Sequence, residues 1–136
     1  MRFLFLCFAL FASSTAVAVE CVILLHGMVR SSSSMQTMAE AIDEAGYTAV
    51  NVDYPSRDHT IEVLAPMAVE EGLQRCEEAG ATDKTHFVTH SLGSILVRKY
   101  LNGKEISNLG RVVMLGPPNQ GSQAVDELGD VPGFDW

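Results

Sequence analysis

The sequence predicts an α/β protein: a three-layer sandwich with a mostly parallel sheet and helices on both faces. Three observations carry this expectation. Short apolar runs alternate with segments of helical periodicity in the order β-α-β-α-β-α-β. The connections are short, so right-handed crossovers give consecutive parallel strands. The third apolar run, Thr85 to Thr89, breaks sharply at His90-Ser91-Leu92-Gly93 and goes on as a helical pattern through Ile95-Leu96-Val97 to Tyr100-Leu101.

The first strand is read at Glu20 to Leu25, a continuous apolar run suited to burial on both faces. It ends in His26-Gly27-Met28, where Gly27 allows a sharp turn and a close backbone approach. Ser31 to Ser34 offer helix caps, with Ser33 and Gln36 in capping-box spacing. Met35, Met38, Ala39, Ile42 and Ala45 follow at helical spacing, and Gly46 stops that helix. Tyr47 to Tyr54 is the second strand, broken by Pro55. Asp53 lies at its carboxyl end, either as a catalytic acid or, the plainer reading, as a loop anchor near Arg57. Ile61 to Ala79 is the second helix, with a kink or a late start near Leu64 expected from Pro66 and Gly72. The third helix follows Ser91 and ends at Asn102-Gly103, and Arg111 to Leu115 is the fourth strand. A stiff loop, Gly116 to Ser122, leads to a helical start at Gln123 to Leu128.

Composition divides the chain. Residues 1–18 hold Arg2, an apolar run from Phe3 to Ala12, and Ala16-Val17-Ala18, the pattern of a secretory signal peptide cleaved after Ala18. Residues 19–136 form one domain, expected to be exported to the periplasm or the medium and to keep no membrane anchor once the leader is removed. Without the leader, eight basic residues face seventeen acidic ones, a net charge of −9. That balance argues against nucleic acid or anionic lipid as a partner held by charge. Cys21 and Cys76 remain, and outside the cytoplasm an even pair can bridge. Cys21 opens the first strand and Cys76 nears the end of the second helix, so both belong at the sheet edge away from Ser91. His26, His59, His86 and His90 are scattered, so no metal is expected, and no cofactor.

Ser91 is the candidate nucleophile. A serine in a strand-to-helix turn projects its hydroxyl above the carboxyl edge of the sheet, with the N–H groups and positive dipole end of the next helix behind it. The stretch is close to G-x-S-x-G, with Thr89 in place of the first glycine and Gly93 as the second. A serine here can also simply cap a helix, and the turn alone does not choose between the two readings.

Leu25-His26-Gly27-Met28 after the first strand, Thr89-His90-Ser91-Leu92-Gly93 after the third, and Gly116-Pro117-Pro118-Asn119-Gln120-Gly121-Ser122 after the fourth resemble the α/β-hydrolases. Within that fold they resemble the bacterial secreted lipases and esterases, over nearly all of residues 21–128. The resemblance implies a serine hydrolase acting on small-molecule or lipid esters through an acyl-enzyme. It makes Ser91 the nucleophile and the N–H groups of Leu92 and Met28 the oxyanion donors. His26, Gly27, His90 and Gly93 would shape the site, and neither His26 nor His90 would be the general base. In that family the acid and base follow the serine on later strands. All four histidines here precede Ser91, and Asp126, Asp130 and Asp135 follow it in a helix start and a tail. The acid and base are therefore expected beyond residue 136. The fold would be incomplete at its carboxyl end, and this chain alone inactive. Alternatives are a non-catalytic binding protein on the same fold, an acyltransferase on the same site, and rescue by an unusual base such as His59.

Overall fold

The structure, a computed structural model, describes residues 18–121. The leader reading, the helical start at Gln123 to Leu128, and the tail aspartates lie outside the described residues, apart from Ala18. The described elements are four strands, β1 (Cys21–Leu25), β2 (Thr48–Val52), β3 (Thr85–His90) and β4 (Leu109–Leu115), and three α-helices, α1 (Gln36–Glu44), α2 (Ile61–Glu78) and α3 (Leu92–Leu101). A 3-10 turn, Ser32–Met35, runs into α1.

The sheet is parallel throughout, in the order β2-β1-β3-β4. The chain steps from β1 outward to β2, then returns past β1 to lay down β3 and β4. The crevice between β1 and β3 at the carboxyl edge is thus the point where the winding reverses, the place where such sheets bind ligands.

β1 is apolar throughout because both its faces are covered. Cys21, Ile23 and Leu25 belong to one core with Leu64, Ala65, Ala68 and Val69 of α2 and Leu92, Leu96 and Val97 of α3. Val22 and Leu24 point the other way, to a smaller core with Met35 and Ala39 beneath α1. This two-residue period on a central strand turns an unbroken hydrophobic run into two cores.

Two local expectations change. The capping box at Ser33 and Gln36 does not form. Ser31 stands at the start of the 3-10 turn without a side-chain cap, its hydroxyl 2.7 Å from that of Ser33, and Gln36 Nε2 donates to Glu40 instead. The cap comes from a distant residue: Ser32 N–H donates to Asp53 Oδ1 at 2.8 Å. Second, α2 starts at Ile61 and holds Pro66 within an unbroken helix. Proline lies near enough to the amino end for the flanking turns and the buried face to carry the helix across it.

Cys21 and Cys76 are joined in a disulfide, with Cα atoms 5.9 Å apart. The bridge ties the first residue of β1 to the last turn of α2, at the amino edge of the sheet.

Candidate active site

β3 ends at His90, α3 begins at Leu92, and Ser91 alone makes the turn between them. Its backbone has φ 49° and ψ −113°, a sparsely populated conformation for a residue with a Cβ. Ser91 is at the N-cap position of α3, yet its side chain makes no cap hydrogen bond. The capping role therefore does not account for it. Its backbone is held from both sides: Ser91 N–H donates to the Leu115 carbonyl of β4 at 3.0 Å, and Ser94 N–H donates to the Ser91 carbonyl at 3.0 Å.

The turn after β1 comes up beside it. Leu25 pairs with Thr89 in the sheet register, so the next two steps bring Gly27 opposite Ser91. A Cβ on Gly27 would lie 2.6 Å from His90 Nδ1 and 3.3 Å from Ser91 Cβ. Gly27 is needed for this close approach, not for backbone freedom. The left-handed residue of the turn is Val29, at φ 57°. Gly93 serves the same end from below. A Cβ there would lie 2.6 Å from the Leu25 carbonyl oxygen and 3.0 Å from that of His26, so only glycine lets α3 start this close to β1.

His26 is completely buried and fixes the turn from within. Its ring stacks on Tyr54, centroids 4.1 Å apart. Nδ1–H donates to the Gly27 carbonyl at 2.8 Å, and Nε2 accepts the Tyr54 N–H at 3.4 Å. Asp53 Oδ1 is 3.6 Å from that Nε2. The Tyr54 hydroxyl donates to the His26 carbonyl, and burial raises the phenol well above its ordinary pKa, keeping it a donor. Asp53 anchors the loop through Ser32.

Leu92 follows Ser91 in the chain, and Met28 follows Gly27, whose backbone comes up beside Ser91. Among the described residues, neither the Met28 nor the Leu92 N–H has an acceptor. Leu92 is the first residue of α3, so its N–H is one of the helix's orphan donors, at the positive end of the dipole. Both residues line one cavity of about 480 Å³, whose wall continues through Ile61, Leu64 and His59. The cleft has an apolar side against the core and a polar rim on the Ser56–Thr60 loop.

The remaining histidines do not reach Ser91. His86 lies at the opposite edge, accepting the Arg111 N–H at 2.9 Å and facing Glu20 at 3.5 Å. His90 is exposed beside Ser91, and His59 is exposed on the cavity rim. No histidine among the described residues hydrogen-bonds Ser91, and no cluster among them could hold a metal ion. Tyr54, Val29 and the buried Ser94 are parts of this site that the sequence reading passed over. Ser94 had a signal: it is a polar residue inside the apolar run Gly93 to Val97.

Two solved structures of a lipase have a similar backbone. The chain matches the mature form of Bacillus licheniformis lipase BlEst2 with a TM-score of 0.71 at 24% identity, covering 88% of this chain and 49% of the lipase. It matches the propeptide form with a TM-score of 0.69 at 25% identity, covering 85% of this chain and 26% of that one. The chain thus spans about half the length of the mature lipase. No curated protein sequence matches it. The family model for palmitoyl protein thioesterase matches residues 21–133, most of the chain. With its parallel sheet wound in this order around a strand-turn-helix serine, the chain belongs to the palmitoyl protein thioesterase family of α/β hydrolases.

Proposed function

We propose that the protein cleaves acyl thioesters or esters, with Ser91 as the nucleophile. The observation that carries this is the backbone of Ser91, held at φ 49° and ψ −113° in the turn from β3 to α3. Strain of this kind persists where the surrounding structure over-determines it, as at active sites. Ser91 Oγ attacks the carbonyl carbon and loses its proton to a general base. The oxyanion that develops is held by the N–H groups of Leu92 and Met28. Collapse of the tetrahedral intermediate expels a thiolate or alkoxide, which takes up the proton. Water then repeats the attack on the acyl-enzyme, freeing the carboxylic acid and Ser91. The apolar side of the cleft beside Met28 and Leu92 accepts the acyl chain.

The base lies outside residues 18–121 in this scheme. His26 uses both ring nitrogens to hold its own turn, His86 is at the far edge, and His59, exposed on the rim of the cavity that Leu92 also lines, makes no hydrogen bond to Ser91. The family's name favours S-acylated protein as substrate; the lipase likeness favours an oxygen ester. Residues 1–18 are read as a leader, and a disulfide between Cys21 and Cys76 suits an oxidising, exported location.

The test, made on a chain long enough to carry the general base, is hydrolysis of paired octanoyl thioester and octanoyl ester substrates by that protein and its Ser91→Ala variant. Wild-type turnover that falls at least a thousand-fold in the variant is expected, from the loss of the nucleophile. Turnover retained by Ser91→Ala refutes the assignment.

A further inference from the structure

The departure from G-x-S-x-G has a structural counterpart five residues on. Thr89 and Ser94 are both completely buried, and their hydroxyl oxygens lie 2.8 Å apart. Thr89 Oγ1 also reaches the Val113 carbonyl of β4 at 3.4 Å. A hydroxyl has one proton to give. Thr89 donates to Val113, so Ser94 is the donor to Thr89. This relay runs from the first turn of α3, through the end of β3, to β4.

We infer that Thr89 and Ser94 are a positioning pair that holds Ser91 in its strained conformation. The inference rests on the reading of Ser91 as the nucleophile only for its consequence in catalysis, not for its geometry. Thr89 stands two residues before Ser91 and Ser94 three residues after it, so the pair closes the elbow with a side-chain link. The two backbone bonds at Ser91 fix its N–H to β4 and its carbonyl to α3. They leave the angle between strand and helix to be set by packing. On the core side, Gly93 presses against the Leu25 and His26 carbonyls. On the β4 side the hydroxyl relay is a side-chain tie from helix to strand, beside the backbone bond from Ser91 N–H to the Leu115 carbonyl. A glycine at position 89 would leave Ser94 with a buried, unpaired hydroxyl. An apolar residue at 94 would leave Thr89 with one bond, a long one. Each residue thus requires the other, and the sequence T-x-S-x-G-S is a self-consistent alternative to a glycine at the first place.

Amide hydrogen exchange on the whole chain tests this, with Thr89→Val, Ser94→Ala, the double variant and Thr89→Ser. Alanine is the better helix former, so by local preference alone Ser94→Ala would tighten the first turn. We expect the opposite. In Thr89→Val and in Ser94→Ala, the Ser91 and Ser94 amides exchange about ten-fold faster relative to Ile23 and Val50, the order expected for a buried hydroxyl losing its partner. Thr89→Ser, which keeps the hydroxyl, stays within about two-fold of wild type. The double variant is no worse than the poorer single one, because the pair acts as a unit. If the Ser91 and Ser94 amides move only in step with Ile23, or the two effects add, the inference is overturned. Should Thr89→Val fail to fold, Ser94→Ala against wild type and Thr89→Ser carries the comparison alone. The exchange pattern reads the backbone whether or not Ser91 reacts. A slower fluorophosphonate labelling of Ser91 in the same variants, with a full response in Thr89→Ser, then ties the pair to reactivity. Absent labelling in all proteins counts against the proposed function, not against the pair.

Discussion

Ser91→Gly should make the protein more stable while removing the proposed nucleophile. The serine is held at φ 49° and ψ −113°, a conformation that costs about 1–3 kcal/mol for a residue with a Cβ. Glycine adopts the mirror image of the extended region freely, so that strain disappears. Against this stands the extra entropy of glycine in the unfolded chain, about 0.5–1 kcal/mol. The hydroxyl itself contributes little, since Ser91 is only half-buried and its side chain has no partner among the described residues. The net is a gain of about 1 kcal/mol, or about 4–8 °C in the thermal midpoint of a domain near this size. Ser91→Ala is the control: it loses the same hydroxyl but keeps the Cβ, so its midpoint should stay close to wild type. Urea and thermal unfolding of the three proteins, followed by far-UV circular dichroism, decide the matter. A Ser91→Gly protein no more stable than Ser91→Ala would show that the turn is not strained, and the strongest structural argument for a reactive serine would go with it.

Gly93→Ala sets two effects against each other. Helix propensity favours alanine by about 1 kcal/mol, but the new Cβ would lie 2.6 Å from a carbonyl oxygen of a central strand that cannot move aside. Overpacking costs about 1–3 kcal/mol, so the thermal midpoint should fall; a rise would refute the close approach. Tyr54→Phe leaves the buried His26 carbonyl unpaired and should cost about 1–3 kcal/mol at pH 8. Burial raises the Tyr54 pKa in the folded state, so its contribution is complete below the ordinary phenol value near 10 and shrinks as pH rises past it. The gap between wild type and variant in urea unfolding should therefore be about 1.4 kcal/mol smaller at pH 11; a constant gap would show that the hydroxyl is not held protonated. Reduction of the Cys21–Cys76 bridge opens a loop with a sequence separation of 55 residues, a loss of about 4 kcal/mol in the loop-entropy model. An unchanged urea midpoint after reduction would mean that the bridge does not constrain the unfolded chain.

The strand and helix order was readable because each element carries its own period, and β1 shows why. Its unbroken apolar run needs cover on two faces, and that requirement already implies a layered sheet. The boundaries drifted where long-range contacts decide them: β4 starts at Leu109, which pairs with Thr85 of β3, and no local pattern announces this. The cap at Ser32 was out of reach for the same reason, since its acceptor, Asp53, is 21 residues away. In the site, Gly27 and Ser91 could be read from turn chemistry, whereas the roles given to His26, Met28 and Leu92 came from the family resemblance. Val29 could not be read, because a β-branched residue gives no local sign that it will take a left-handed conformation. Tyr54 read as the end of a strand, and its stacking on His26 follows only from the pairing of β1 with β2.

The two turns that meet at Ser91 belong to segments more than sixty residues apart, yet neither contacts the other through a loop. Their separation is dictated by the alignment of β1 with β3, Leu25 against Thr89. That strand pair therefore works as a ruler. A slip of one residue would shift Met28 by about 3.3 Å along the sheet, further than any hydrogen bond to an oxyanion can stretch. Within the interval from Arg30 to Lys84, β2 and Tyr54 brace the His26 turn, but the exposed residues Arg57 to Thr60 can drift without changing the distance that matters. Variation at those rim residues should retune what enters the cleft, whereas in the proposed reaction the spacing of attack to charge stabilisation is kept by two short strands.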